Sequence, residues 1–172
     1  PVAAYGNPQL LVETSWLESN SNISGLRVLD VRPADKYAAG HVPNALNLPL
    51  SRDSVSQPFP NDLPSVPQIE SVLGELVINN DVTRIVLYDD NRGRVGSRLF
   101  WTLEYYGHGD GKVRVLDGGL KKWQAENRLL TTEVPIVQKA TLVTHQAVPA
   151  RLATKDQILG WLGKTDTTLL AT

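Results

Sequence analysis

The sequence has no cysteine and no methionine among its 172 residues. Without cysteine the chain can form no disulfide, no thiolate metal site and no thiol nucleophile of its own. Histidine is also scarce, because only His41, His108 and His145 occur and they are far apart. A histidine-rich metal site is therefore not expected, and we expect neither a metal nor a cofactor.

The chain also has no large excess of charge of either sign, since it contains 17 Lys and Arg residues and 18 Asp and Glu residues. The chain thus lacks the basic surface that binds nucleic acid or an anionic membrane. It also lacks any apolar run near the roughly 20 residues that span a bilayer. We expect no nucleic-acid partner and no membrane partner. The compartment stays open, with the cytoplasm slightly favoured over the periplasm.

Short apolar runs alternate with stretches of helical periodicity through most of the chain. This alternation is typical of βαβ units, in which helices join parallel strands. Thr14 and Ser65 stand where helix N-caps are expected. The pattern predicts an α/β fold with about five strands in a mostly parallel sheet and helices on both faces. The runs that we expect to be strands are residues 10–12, 27–31, 45–48, 85–88 and 113–116.

The stretch Arg84–Arg98, RIVLYDDNRGRVGSR, carries the clearest functional signal. A buried strand is expected up to Tyr88, a polar turn follows, and helical periodicity begins near Val95. A strand, a tight loop and a helix together place a reactive group or an anion at a helix N-terminus. Because ligands of parallel sheets bind beyond the carboxyl ends of the strands, we expect any site at Asp89, with Asp30 close to it.

A second pattern is an internal echo with an offset of roughly 140 residues. Residues 152–159 have the features of a capped helix start and residues 167–170 those of a short strand, as residues 12–17 and 28–29 do. A lone helix and strand cannot bury their own apolar faces, so we interpret them as the start of a second copy. The alternative is a C-terminal helix and strand docked on the same domain. The predicted organisation is a domain at 1–130, a linker at 131–150 and a truncated second domain at 151–172.

Three longer motifs occur in order: VLDVRPADKYAAGHVPNALNLPL at 28–50, IVLYDDNRGRVGSRLFWTLEYYGH at 85–108 and VRVLDGGLKKWQAENRLL at 113–130. Together they resemble the signatures of the rhodanese (sulfurtransferase) family, over roughly residues 8 to 130. The Asp-Asp loop is similar to the N-terminal half of two-domain thiosulfate or 3-mercaptopyruvate sulfurtransferases. The stretch ARLATKDQIL is similar to the opening of their C-terminal half.

The resemblance implies a rhodanese-like fold and sulfur-transfer chemistry. In this family a loop cysteine takes a sulfane sulfur, becomes a persulfide and passes the sulfur to cyanide or a thiol. Asp89 stands at the position of that cysteine, and a carboxylate does not carry sulfur. We therefore expect a non-catalytic N-terminal domain of a tandem enzyme, with the catalytic cysteine beyond Thr172. Its expected partners are the catalytic C-terminal domain of the same parent chain and a small anionic sulfur donor. The competing hypothesis is a rhodanese-like binding or regulatory module without catalysis.

The charged residues of the loop each allow two interpretations. Asp89 is either an inert anion that accepts the loop's N–H groups, which we favour, or a base or cation ligand. Arg92, Arg94 and Arg98 either draw anionic substrates toward a cleft between two domains or are solvated charges that balance Asp89 and Asp90. The sequence does not separate the two interpretations of the arginines.

Residues at or after the ends of the second and fifth expected strands also invite a functional interpretation. For Asp30 and Arg32 we favour an ion pair that locks the loop over a catalytic role. For His41, in a Gly-His-Val-Pro turn, we favour a structural hydrogen-bonding role over action on a substrate. For Gly118 and Gly119 we favour a tight turn and close packing over phosphate binding.

Overall fold

The structure, a computed structural model, describes residues 6–50, 63–78, 84–109, 111–137 and 147–168. Residues 51–64, which hold Ser, Asn, Asp and three prolines, have the composition of a surface excursion, and most of them lie outside the described residues. Of the predicted strand at 167–170 only the first two residues are described, and they are not in a strand.

Five short strands form one sheet, and every neighbouring pair in it is parallel. The order across the sheet is β1-β5-β4-β2-β3, so β4 lies at the centre and β1 and β3 at the edges. The predicted sheet of about five mostly parallel strands is confirmed. The strands are β1 (Leu11–Val12), β2 (Leu26–Asp30), β3 (Ala45–Asn47), β4 (Arg84–Tyr88) and β5 (Val113–Leu116).

Helices cover both faces of this sheet, as predicted. The core beneath α3 and α4 lies on one face, and the core beneath α1, α2 and α5 lies on the other. Among the described residues, no helix combines the length and the apolar character needed to cross a membrane. The helices are α1 (Thr14–Asn20), α2 (Ala34–Ala39), α3 (Val66–Glu75), α4 (Gly96–Tyr105), α5 (Gly119–Ala125) and α6 (Lys155–Trp161).

The central strands are apolar on both sides because successive side chains of a strand point to opposite faces. Leu29 and Leu87 enter the core beneath α3 and α4. Their neighbours Val28 and Val86 enter the core on the other face. Burial of such a side chain stabilises the fold by about 1.5–3 kcal/mol. The sheet is thus held from both sides, and the carboxyl ends of β2 and β4 are brought to the same edge.

The two predicted helix caps have different outcomes. Ser65 caps α3 in a capping box, in which the backbone N–H of Ser65 donates to Gln68 Oε1 at 2.8 Å. The prediction for Thr14 is wrong, because Thr14 is the first residue of α1 and Glu13 occupies the cap position. The hydroxyl of Thr14 donates instead to the carboxylate of Glu126, which is remote in sequence. The Thr14 side chain therefore forms a tertiary hydrogen bond instead of the predicted capping hydrogen bond within its own helix.

Candidate functional site

Asp89 follows the last residue of β4 and is almost completely buried, with 2% of its surface exposed. Its Oδ1 accepts the backbone N–H groups of Asn91 at 2.9 Å and Gly93 at 2.8 Å. Its Oδ2 accepts those of Val95 at 3.0 Å and Gly96 at 3.2 Å. The carboxylate therefore occupies a ring of N–H donors in the loop between β4 and α4.

The loop turns its N–H groups inward because part of it is left-handed. Arg92 has φ of 57° and Gly93 has φ of 79°, and successive turns of this kind make an anion-binding concavity. The loop leads directly into α4, whose positive N-terminal dipole end also favours a negative charge. The strand, loop and helix predicted for this stretch are confirmed, and its anion is the protein's own carboxylate.

The main chain of Asp89 is tied to the turn before α5. Its carbonyl oxygen accepts the N–H of Leu120 at 2.9 Å. Gly119 has φ of 56°, and a Cβ placed on it would lie 2.5 Å from that carbonyl oxygen. Only glycine fits such a close approach. The favoured interpretation of Gly118 and Gly119 as a tight, closely packed turn agrees with this geometry.

A buried ion pair lies beside the loop, at the end of β2. Arg32 donates from Nε to Asp30 Oδ1 at 3.0 Å and from Nη2 to Asp30 Oδ2 at 2.6 Å. The predicted pairing of Asp30 and Arg32 is therefore present. The remaining bonding capacity is also used, since Arg32 donates to the carbonyl of Gly40 at 2.8 Å and Tyr88 Oη donates to Asp30 Oδ2 at 2.7 Å. The Tyr88 oxygen in turn accepts the N–H of Val42 at 3.1 Å.

Ionisation states in this cluster follow from burial and from the charge of Asp30. Burial raises the pKa of the Tyr88 phenol far above its ordinary value, and the nearby Asp30 carboxylate raises it further. Burial alone would lower the pKa of Arg32, but the hydrogen bonds and charge of Asp30 raise it above its ordinary value. The phenol of Tyr88 therefore stays neutral and the guanidinium of Arg32 stays charged through the neutral pH range, which suits a structural clamp.

His41 is fully buried, and its ring stacks on Tyr37 with ring centroids 3.7 Å apart. Its Nδ1 lies 2.9 Å from the carbonyl oxygen of Tyr37, and its Nε2 lies 3.1 Å from that of Glu133. The backbone of His41 also exchanges two hydrogen bonds with Thr131, both of 2.9 Å. Both ring nitrogens thus face backbone carbonyls, and this arrangement favours the structural interpretation over action on a substrate.

The charged residues of the loop differ in the partners that they have. Asp90 pairs with Lys36 at 2.6 Å. Burial tends to raise the pKa of Asp90, but its hydrogen bond and ion pair with Lys36 outweigh that and lower it. Arg92, Arg94 and Arg98 are exposed, and within the described ranges Arg92 and Arg94 form no ion pair. The loop therefore presents Arg92 and Arg94 to solvent, and in the described part of the chain no carboxylate is in contact with either guanidinium group.

Sequence reasoning missed two members of this edge, Tyr88 and Lys36. Tyr88 was expected only as the last apolar residue of a strand, although it pairs in register with Asp30. The signal available in the sequence was a polar hydroxyl at the end of an otherwise apolar strand. Nothing in the sequence indicated that Lys36 would reach Asp90. In the part of the chain that the structure describes, no three His, Asp or Glu residues are grouped to hold a metal ion.

Comparison with known families explains this combination of fold and loop. The family model of the rhodanese-like domain matches residues 13–126. The chain belongs to the rhodanese-like family. The matched range includes the Asp89 loop, the turn that carries Gly119 and every strand of the sheet except β1. The predicted family membership is therefore confirmed.

Relatives of this rhodanese-like chain include enzymes and a carrier of sulfur. It is 37% identical over 132 residues to the sulfur carrier protein TtuD of Thermus thermophilus, covering 76% of this chain and 45% of that protein. It is 32% identical over 165 residues to a thiosulfate sulfurtransferase of Azotobacter vinelandii, covering 94% of this chain and 59% of that protein. The chain thus spans about half the length of the curated relatives it matches.

Solved structures share the rhodanese fold at lower sequence identity. The 3-mercaptopyruvate sulfotransferase SseA of Escherichia coli superposes with a TM-score of 0.70 at 23% identity, covering 88% of this chain and 61% of that one. The protein YnjE superposes with a TM-score of 0.77 at 21% identity, covering 95% of this chain and 41% of that one. At these identities the likeness establishes the fold.

Replacement of Gly119 tests the contact between the two turns. We expect Gly119→Ala to lower the free energy of unfolding by more than about 2 kcal/mol, because strain at positive φ adds to a clash with the Asp89 carbonyl. The matched control is Gly111→Ala, which has φ of 76° and no atom within 4 Å of the added Cβ. Urea unfolding of both variants measures the difference. Equal losses would show that the close approach to Asp89 does not matter.

Alkaline unfolding tests the buried phenol of Tyr88. The folded-state pKa of Tyr88 is raised above the unfolded value of about 10. Its contribution is therefore complete below about pH 10 and is lost as pH rises toward the folded pKa, at up to about 1.4 kcal/mol per pH unit. We expect Tyr88→Phe to reduce the fall in unfolding free energy between about pH 10 and 11.5. The same variant at pH 7 measures the constant cost of the lost hydrogen bonds. A slope as steep as that of the unchanged protein would contradict the assignment.

Proposed function

We propose that this chain is the N-terminal part of a tandem rhodanese sulfurtransferase, in which this domain is non-catalytic and scaffolds a catalytic second domain. The parent enzyme would move sulfane sulfur from thiosulfate or 3-mercaptopyruvate to a thiophilic acceptor such as cyanide. The proposal is carried by the carboxylate of Asp89, which fills the ring of N–H donors in the loop. The relatives named as thiosulfate sulfurtransferases support the reaction class.

The chemistry of the loop supports the non-catalytic role. A ring of N–H groups at a helix N-terminus lowers the pKa of a thiol placed there and stabilises the resulting anion. Asp89 occupies that ring with a carboxylate whose oxygens form no stable bond to a sulfane sulfur. The same hydrogen bonds that would stabilise a persulfide instead hold the loop in one shape.

The structure of residues 147–168 supports a tandem arrangement. A 3₁₀ turn at Pro8–Leu10 precedes α1, and a second 3₁₀ turn at Pro149–Arg151 precedes α6. The distance in sequence from the start of the turn to the start of the helix is the same in both pairs. The distance from the end of the turn to the end of the helix is also the same. An equivalent backbone hydrogen bond closes each turn, with a length of 3.1 Å in the first turn and 3.0 Å in the second. Two copies of one α/β domain would produce this agreement.

The burial of the two helices differs, and the difference favours a second domain over docking on the first. α1 buries Thr14 and Leu17 against the sheet. α6 has no buried residue, and Ile158 and Leu159 on it, as well as Leu162 directly after its end, are exposed. An amphipathic helix needs a sheet or another helix to cover its apolar side. A second sheet, formed by further residues of the parent chain, would supply that cover.

Arg92 and Arg94 would then act on the sulfur donor. Both are exposed and lack an ion-pair partner within the described ranges, so their charge is available to an anion. Thiosulfate and 3-mercaptopyruvate are both anionic, and positive charge near a cleft raises the local concentration of such substrates. The competing function is a binding or regulatory module without catalysis; a cysteine-bearing loop in the parent reading frame would decide for the enzyme.

The proposed function predicts that this chain by itself transfers no sulfur. With thiosulfate and cyanide we expect no thiocyanate above the amount formed with heat-denatured protein, since no thiol is present to carry the sulfur. The measurement is the colorimetric assay of thiocyanate as its ferric complex. Turnover above the denatured control would overturn the account of Asp89.

An Asp89→Cys variant tests whether the loop still has the properties of an anion site. Because the chain has no cysteine, the new thiol is the only one to react with iodoacetamide. We expect its pKa, read from the pH dependence of alkylation, to lie at least about one unit below the ordinary value of about 8.5. The control is Ser24→Cys, at an exposed turn residue, for which we expect an ordinary value. A pKa of about 8.5 or above at position 89 would contradict the proposed anion site.

A further inference from the structure

A second candidate site lies at the end of the sheet opposite to Asp89. It is an open pocket of about 310 Å³ between the edge strand β1, the first turn of α1 and the starts of β4 and β5. Its volume is at the lower end of the range for small-molecule sites. The pocket is lined by Leu11, Val12, Glu13, Trp16, Arg84 and Arg114.

The sheet brings the two arginines of this pocket to one face. Arg114 pairs in register with Val86, and Arg84 lies two residues before Val86 on the same strand. Side chains two residues apart in a strand share a face. Arg84 and Arg114 therefore both project toward the face that α1 covers, on neighbouring strands, although they are remote in sequence.

Both guanidinium groups are held in place by neutral partners. The guanidinium carbon of Arg84 lies 5.5 Å from the ring centroid of Trp16. Arg114 donates from Nε to the carbonyl of Gly111 at 3.2 Å. Over the described ranges neither arginine has a carboxylate partner. Glu13 is the acidic residue of the lining, and its carboxylate is bound by Lys122 at 2.7 Å.

We propose that this pocket binds a small organic monocarboxylate with an apolar body. The two guanidinium groups provide planar N–H donors that match a carboxylate. Leu11, Val12 and the indole of Trp16 provide the apolar surface against which the rest of the ligand packs. The site is separate from the Asp89 loop, so the proposal holds whether or not the parent protein transfers sulfur.

Titration of the whole ¹⁵N-labelled chain with sodium benzoate at constant ionic strength tests this proposal. We expect saturable shifts of the Trp16 indole N–H and of the Arg84 and Arg114 amide signals, with a Kd on the order of 1 mM, as for a ligand of this size. Benzamide has the same shape without the charge, and sulfate has charge without the apolar body. We expect both to bind at least about tenfold more weakly, since each lacks one of the two interactions.

Variants identify the groups responsible. We expect Arg84→Gln and Arg114→Gln each to weaken benzoate binding at least about tenfold, as loss of a charge-assisted hydrogen bond does. Lys164→Gln removes one positive charge outside the pocket and should leave the affinity unchanged. Urea unfolding of each variant shows that the fold is retained. Shifts that do not saturate, equal binding of benzamide, or an equal loss in Lys164→Gln would each overturn the proposal.

Discussion

The buried carboxylate of Asp89 accepts four backbone N–H groups, and the shape of the loop between β4 and α4 depends on those bonds. Each hydrogen bond to a charged group stabilises a fold by about 1.5–3 kcal/mol, so the loop is held firmly although Arg92 and Gly93 are left-handed. Through its carbonyl oxygen the same residue also positions the start of α5. One side chain and its backbone thus connect the central strand to two helices.

A second buried interaction supports the same edge of the sheet. Asp30 and Arg32 would each destabilise the core if buried alone, because an unpaired buried charge is costly. Together with the hydroxyl of Tyr88 they satisfy one another and tie the end of β2 to β4. Arg32 extends this connection to Gly40, next to the buried ring of His41. This edge of the sheet therefore has the architecture of a reactive anion site. Its buried charged residues, Asp30, Arg32 and Asp89, are already paired or hydrogen-bonded within the domain.

The two ends of the sheet therefore differ in what they offer a ligand. At the carboxyl end the protein's own carboxylate fills the anion site, and what remains accessible is the pair Arg92 and Arg94. At the amino end two arginines are held by an indole ring and a carbonyl oxygen, beside apolar surface. The exposed apolar residues of α6 add a third feature, which a domain duplicated along a longer chain would explain.

The sequence by itself determined the parallel α/β sheet, the family and the carboxylate at the centre of the loop. Apolar periodicity and turn residues are local properties, and the motifs around Asp89 and Gly119 are contiguous, so these features could be identified without a structure. The structure alone decided which polar groups meet. Thr14 donates to Glu126 instead of capping its helix, Lys36 pairs with Asp90, and Arg84 and Arg114 line one pocket. Each of these arrangements involves residues remote in sequence, and their proximity depends on strand order and register, which no local pattern encodes.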